Sequence, residues 1–177
     1  KFTPPAPSAN QSRKMLDMFK YGTFQVLSTD HAPSTIEQKL DGTIWDCNFG
    51  LPGVETTLPM MLNLVNQNEI SLEQVVQIYS ETPAKLLGIY PQKGNITVGA
   101  DADIVLLDMN YKWTIKNEHI VSKAGWSPFD GTNITGKPWY TIVRGNVVFD
   151  EGKIDNNRRN GKPLIRTRNL DKQSVKF

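Results

Sequence analysis

The sequence predicts an α/β fold in two parts: helices around a short buried strand up to about residue 90, then strands alone. Three observations predict it. Residues 24–27, F-Q-V-L, form a short apolar run rich in strand formers that leads to Asp30 and His31. Apolar residues recur at helical spacing between Leu58 and Leu87. After Tyr90 the period changes from helix to strand. An interior strand that is apolar along its length and carries a charged residue at its C-terminal end is how an α/β barrel forms its catalytic mouth. Asp30 is therefore read as the chemical centre, and the first part as the last strands and helices of a (β/α)8 TIM barrel.

The opening K-F-T-P-P-A-P cannot be a helix interior, because proline removes a donor and clashes with the preceding turn. Residues 8–21 predict a helix, with Leu16 and Phe19 three apart, Met15 and Met18 beside them, and Gly22 as its stop. The strand 24–27 follows. Residues 34–49 are polar and irregular, with Asp41-Gly42 as a turn signal; a loop of that length is usually functional or mobile. Gly50-Leu51-Pro52-Gly53 is a rigid turn. The next helix, 54–66, carries Leu58, Met61, Leu62 and Val65 on one face. Ser71-Leu72-Glu73-Gln74 is a capping box, and Leu72, Val75, Val76 and Tyr79 form one apolar stripe behind it. Thr82 then caps a restarted helix with Pro83 at its first position, and Gly88 closes it.

Beyond Tyr90, residues 95–98 and 103–108 are expected to pair as a hairpin about Gly99-Ala100-Asp101. Residues 112–115 make a further short strand and 126–136 a loop rich in Pro, Gly and Asn. Residues 141–143 and 147–150 flank Arg144-Gly145-Asn146 as a second hairpin. Roughly five strands are fewer than the about seven of a sandwich, so this part is read as a portion of one. The domain reading is barrel over 1–90, composite β-sandwich over 91–152 and a peripheral tail over 153–177.

Composition narrows the function. The chain has 177 residues, 38% of them hydrophobic, and a net charge of +2 with acids and bases interspersed. That gives no electrostatic case for nucleic acid or an acidic membrane surface. The one dense basic cluster, Lys153 to Arg168, has neither heptads nor interleaved aromatics and reads as a solvated tail. No apolar run approaches the ~20 residues of a membrane helix, and no signal peptide is expected. Cys47 is the single cysteine, which fits a reducing compartment such as the cytoplasm. The chain lacks an initiator Met and is expected to begin inside a longer protein.

At Thr29-Asp30-His31-Ala32-Pro33 the sequence resembles the cyclic amidohydrolases of the amidohydrolase superfamily: dihydroorotases, allantoinases, and hydantoinases or dihydropyrimidinases. Gly50-x-Pro52-Gly53-Val54-Glu55-Thr56, Thr82-Pro83-Ala84-Lys85-Leu86-Leu87-Gly88 and Lys93-Gly94-x-Ile96-x-x-Gly99-x-Asp101-Ala102-Asp103-Ile104-Val105 agree in order and spacing. Lys1-x-x-Pro4-Pro5 looks like the segment at the seventh barrel strand, and Ser122-Lys123 with Ser127-Pro128-Phe129-x-Gly131 like a late dihydroorotase stretch. The likeness covers about residues 1–152. It implies a barrel with a small β-sandwich built from both chain ends, and a binuclear metal centre, usually zinc, at the barrel mouth. Of the family's ligands only the aspartate of the eighth strand has a counterpart here, Asp30. The chain thus resembles the C-terminal portion of such an enzyme. Its expected partners are a small cyclic amide or ureide substrate, the N-terminal part of the barrel, and further copies of the protein in a homo-oligomer.

The chemistry of ring-amide hydrolysis explains the assignments. Two metals can lower the pKa of a bridging water and polarise the carbonyl. A carboxylate beside that water can take its proton and pass it to the leaving nitrogen. Asp30 is assigned metal binding and proton transfer; the alternative is that it only caps the turn before Ala32-Pro33. His31 orients Asp30, touches substrate, or is a buried structural histidine. Ser34 stands where dihydroorotases often carry a histidine for the substrate carboxylate, and the backbone of Phe49 and Gly50 is suited to the imide edge of a ring. Glu55 is explained by the dipole of the helix it begins. Cys47 is read as a non-catalytic thiol, His119 as a surface residue, and Trp45 and Trp126 as packing residues in loops. Phe49-Gly50, Glu55-Thr56 and Ser127-Pro128-Phe129 favour a dihydroorotase, and Ser34 and Thr3 disfavour it. Tyr90-Pro91-x-Lys93-Gly94 favours a hydantoinase. The competing class is a catalytically inactive relative used as a scaffold. The 177 residues alone are expected not to hydrolyse ring amides.

Overall fold

The computed structural model describes residues 1, 3, 5–155 and 161–164. Helices fill the first half: α1 (Ala9–Lys20), α2 (Ile36–Leu40), α3 (Thr57–Asn66), α4 (Leu72–Val76) and α5 (Thr82–Leu86). A four-stranded antiparallel sheet follows, in the order β1 (Ile104–Thr114), β2 (Asn133–Val143), β3 (Asn146–Asp150) and β4 (Lys153–Ile154). Among the described residues no helix is long and apolar enough to cross a membrane.

Local chemistry sets the helix ends. At α4 the Ser71 hydroxyl accepts from the Gln74 amide at 3.1 Å, and the Gln74 side chain accepts from the Ser71 amide at 2.9 Å. Ser8 with Gln11 caps α1 in the same way, and Thr35 with Gln38 caps α2. The C-termini also share a device. Gly22, Asn68 and Gly88 all have positive φ, and each lies in a Schellman pair of backbone bonds, such as Gly88 N–H to Lys85 O and Ile89 N–H to Ala84 O. The segment 34–49, expected to be irregular, therefore contains a helix, because Thr35-x-x-Gln38 is itself a capping box.

Thr82 does not start a new helix. Its φ of −64° and ψ of −43° are helical, and α4 runs into α5 through a π-helical turn, Gln77–Glu81. The cause is Pro83, which has no N–H to give to the preceding turn. The Thr82 amide bonds Gln77 O instead, and neither Thr82 nor Pro83 supplies a donor to the Ile78 carbonyl. That carbonyl accepts the Leu27 amide at 3.0 Å.

Residues 24–27 form no strand ladder. A strand needs a neighbour that exchanges backbone bonds with it. Here the described contacts are the Leu27 bond to Ile78 and one parallel bridge, His31 with Leu51. The segment's apolar composition is right for a strand, but propensity supplies no partner.

The sheet also differs from expectation. Of residues 112–115 the first three belong to β1, which is one long strand with an irregularity where the Asp108 carboxylate accepts from the Asn110 and Tyr111 amides. β2 begins at Asn133, inside the expected loop, and pairs with the end of β1 through Thr114. Pro138 sits next to a register shift, where a missing donor is tolerated. Residues 95–98 make no strand. Lys93 is ion-paired with Asp101 at 2.7 Å and with Asp103, and the Asp101 amide bonds Gln92 O, so the segment closes on itself as a loop. The β2–β3 hairpin forms as expected, with positive φ at both Arg144 and Gly145 as a type I′ turn requires.

The two halves meet where α3 packs on β2. Leu62 on α3 and Ile134 on β2 are buried, and a Cβ on Gly136 would stand 2.9 Å from that of Leu62. Asn66 Nδ2 donates to Thr135 O, and the Thr135 amide donates to Asn63 Oδ1 at 2.9 Å, so both sides of the contact are hydrogen-bonded. Most of the expected tail lies outside the described residues; its first residues, Lys153–Ile154, extend the sheet as β4.

Candidate active site

Asp30 has a φ of +44°, a left-handed conformation that Asp tolerates better than most residues. The Thr29 hydroxyl accepts from the His31 amide at 3.2 Å and closes the turn around it. One residue further on, the Ala32 amide bonds Leu51 O at 3.1 Å. Gly50, with φ +92°, lies directly against this stretch: a Cβ there would stand 2.3 Å from the Ala32 Cβ and 2.8 Å from the Ala32 carbonyl oxygen. A side chain at position 50 would separate the two segments.

The result is a cavity of about 370 Å³ in which Asp30, Phe49 and Gly50 come together with Leu27, Thr57 and Phe129. Asp30 itself is exposed at the mouth of this space. Its walls are mostly apolar, so one carboxylate stands at an apolar depression open to a ligand.

The other two candidate residues lie elsewhere. His31 Nδ1 accepts from the amides of Gly53 at 3.0 Å and Val54 at 3.3 Å. Two donors on Nδ1 place the ring proton on Nε2. His31 thus holds the entry to α3, and it lines a small separate pocket with Glu55 and Trp126. Ser34 is buried, and its carbonyl accepts from Trp126 Nε1 at 2.7 Å. Neither residue lines the Asp30 cavity.

Glu55 does more than face a helix dipole. It precedes α3, and its carboxylate accepts from the Val121 and Ser122 amides, which ties the loop after β1 to the helical half. Trp45 is exposed and Trp126 is a hydrogen-bond donor, so neither lines the cavity. Cys47 sits beside Ile44 O, and His119 is exposed next to Glu118. A larger open groove of about 1040 Å³ lies between the start of α3 and the sheet; it contains His31, Glu55 and His119 but not Asp30.

Sequence reasoning missed two contributors. Pro128 and Phe129 line the cavity, and the signal for them was the Ser127-Pro128-Phe129 stretch. Lys39 bonds the backbone beside Phe49, and nothing in its sequence neighbourhood marks it. Among the described residues no group of three or more His, Cys, Asp or Glu side chains is placed to hold a metal ion. The described residues therefore do not make a metal site on their own.

Comparison with known proteins identifies the family. The amidohydrolase family matches residues 7–148. An L-hydantoinase of Paenarthrobacter aurescens is 41% identical over 157 residues, which is 87% of this chain and 34% of that protein. A dihydroorotase of Pyrococcus furiosus is 40% identical over 129 residues, 73% of this chain and 30% of that one. The solved L-hydantoinase (dihydropyrimidinase) from Arthrobacter aurescens superposes with a TM-score of 0.83 at 40% identity, covering 87% of this chain and 35% of that one. The chain spans about a third of the length of the curated relatives it matches. Since the match extends over most of its own length, the chain belongs to the amidohydrolase family.

Proposed function

We propose that this chain is the C-terminal part of a hydrolase that opens a cyclic amide at its C–N bond, dihydroorotase-like in substrate class. The observation that carries the reading is Asp30, held in a left-handed turn at an apolar cavity that Phe49 and Gly50 also line. In this reading residues 1–90 complete a (β/α)8 barrel, residues 91–152 contribute to a composite β-sandwich, and residues 153–177 are the tail. Residues 24–27 become an interior strand once a neighbour lies beside them.

Asp30 accepts the proton of the attacking water and returns it to the ring nitrogen as the C–N bond breaks, so its carboxylate ends as it began and the acyl carbon leaves as a carboxylic acid that ionises in solution. The backbone of Phe49 and Gly50 holds the imide edge of the ring. A binuclear zinc centre, which would supply the activated water, needs further ligands from the rest of the protein. The complete protein is read as a cytoplasmic homo-oligomer; the exposed apolar side chains of Trp45, Ile96 and Val98 suit contacts with further protein surface.

A second reading, hydantoinase or dihydropyrimidinase, is favoured by one observation. Ser34 is buried on the side of Trp126, where it cannot meet a substrate carboxylate at the Asp30 cavity. Allantoinase belongs to the same group. The inactive-scaffold reading shares the fold and differs only in activity.

The test is Asp30→Asn in the complete protein, assayed on dihydroorotate, hydantoins, dihydrouracil and allantoin. Turnover is expected to fall by roughly a thousandfold or more, with an unchanged unfolding midpoint because Asp30 is exposed. Near-normal turnover by the variant removes Asp30 from its role. Absence of any ring opening by the wild type, with metal supplied, leaves the scaffold reading.

A further inference from the structure

We propose that Lys39 is a positioning residue for this cavity: its ammonium gathers three backbone carbonyls into one knot and so fixes the Phe49–Gly50 segment that lines the cavity with Asp30. Nζ donates to Lys1 O at 2.6 Å, Asn48 O at 2.9 Å and Gly50 O at 2.8 Å. A lysine has three N–H donors, and all three are used. A compact ammonium can serve three converging oxygens, which a planar guanidinium cannot.

Two amides tighten the same knot: Gly50 N–H bonds Lys1 O, and Asn48 N–H bonds Gln38 O, both at 3.2 Å. The helix that carries Lys39 is itself fixed. The capping box of Thr35 and Gln38 sets its start, and Trp126 holds the Ser34 carbonyl just before it.

Position is passed from Lys39 to the cavity without slack. Gly50 packs on Ala32 so closely that no Cβ fits between them, and Leu51 O holds the Ala32 amide. Ala32 is two residues from Asp30. Lys39 does not line the cavity, so it acts through Gly50 and touches no substrate. Releasing the carbonyls of residues 48 and 50 lets Phe49 and Gly50 drift relative to Asp30. Small misplacements of this kind weaken binding and orientation.

The inference rests on the reading of the cavity as a ring-amide site, and its test separates the two. Lys39→Met and Lys39→Arg are made in the complete protein. For the best cyclic amide substrate KM is expected to rise about tenfold in both, with kcat within about threefold of wild type. A loss of folded protein alone lowers apparent kcat and leaves KM unchanged, so a purely structural role gives the opposite pattern. Wild-type KM in Lys39→Arg shows that charge alone suffices and overturns the three-carbonyl knot. Amide hydrogen exchange without substrate is the second readout. In Lys39→Met, exchange over residues 48–53 and at Ala32 is expected to quicken while that of α4 and α5 stays as it was. Unchanged exchange overturns the proposal whatever the kinetics, as does quickened exchange with unchanged KM in an active enzyme. If the wild type opens no ring amide, the functional reading falls and exchange alone decides the knot.

Discussion

Around Leu62 the chain is held by burial, whereas around Asp30 it is held by single backbone bonds to neighbours. Leu62, Ile115 and Ile134 are each at most 3% exposed and sit where helix and sheet meet. Before Ser34 no described side chain is buried at all, and Val26, in the run that leads to Asp30, is 39% exposed. Leu27, Ala32 and Gly50 each depend on a donor or acceptor from another segment. The buried part is held by apolar packing between α3 and the sheet. The site part keeps its shape through what lies alongside it, which suits a region whose purpose is to meet a ligand.

The sharpest way to break this contrast is a matched pair of truncations. Leu62→Ala is expected to cost ~2–5 kcal/mol, because a fully buried side chain leaves a cavity. Val26→Ala is expected to stay within ~0.5 kcal/mol. Denaturant unfolding of both variants measures the difference; equal losses would mean the two regions are held alike. A smaller effect tests the helical half. Ser71→Ala removes the acceptor for the Gln74 amide and is expected to cost ~1 kcal/mol, read as a lower thermal midpoint.

The smallest effect is electrostatic. Arg13 and Lys20 both reach the Glu69 carboxylate and hold its pKa down at about 2, from an ordinary value of 4.5. A depressed carboxylate contributes stability that is complete above its unfolded value and disappears as pH falls through its folded one. Thermal midpoints of wild type and Glu69→Gln should therefore differ by a constant amount above about pH 5, and the gap should close between about pH 4.5 and 2. A gap that persists at the acid end assigns the effect to something other than ionisation. Arg13 is exposed while Lys20 and Glu69 are half-buried, so added salt should narrow the gap only in part.

What was legible in the sequence follows the same division. Signals confined to a few residues could be read directly: the capping box at Ser71, the stops at Gly22 and Gly88, the hairpin turn at Arg144-Gly145. Thr35-x-x-Gln38 obeys the same rule as Ser71-x-x-Gln74, but the polar residues around it masked the helix. Pro83 was legible as a first-turn proline, yet the π-helical turn before it absorbs the missing donor without a break. Ile104–Thr114 looked like two strands because the bend at Asp108 interrupts the alternation. At the site, Asp30, Phe49 and Gly50 were marked by their own motifs and line one cavity, whereas the strand expected to lead to Asp30 is not formed. His31 and Ser34 could not be oriented, because which way they face is decided by Gly53 and Trp126, far along the chain. Lys39 had no local signal, since its partners are carbonyls, which every residue has.

The carbonyl of Ile78 is left without a helical donor because Pro83 has no amide, and the approach to Asp30 takes that free acceptor. Replacing Pro83 with alanine would ordinarily be counted as repairing a helix. Here a regular helix would return the Thr82 amide from Gln77 O to Ile78 O, where it would compete with Leu27, so a straighter helix and a steadier Asp30 are opposing aims. An engineer seeking heat resistance in this protein should leave that imperfection in place.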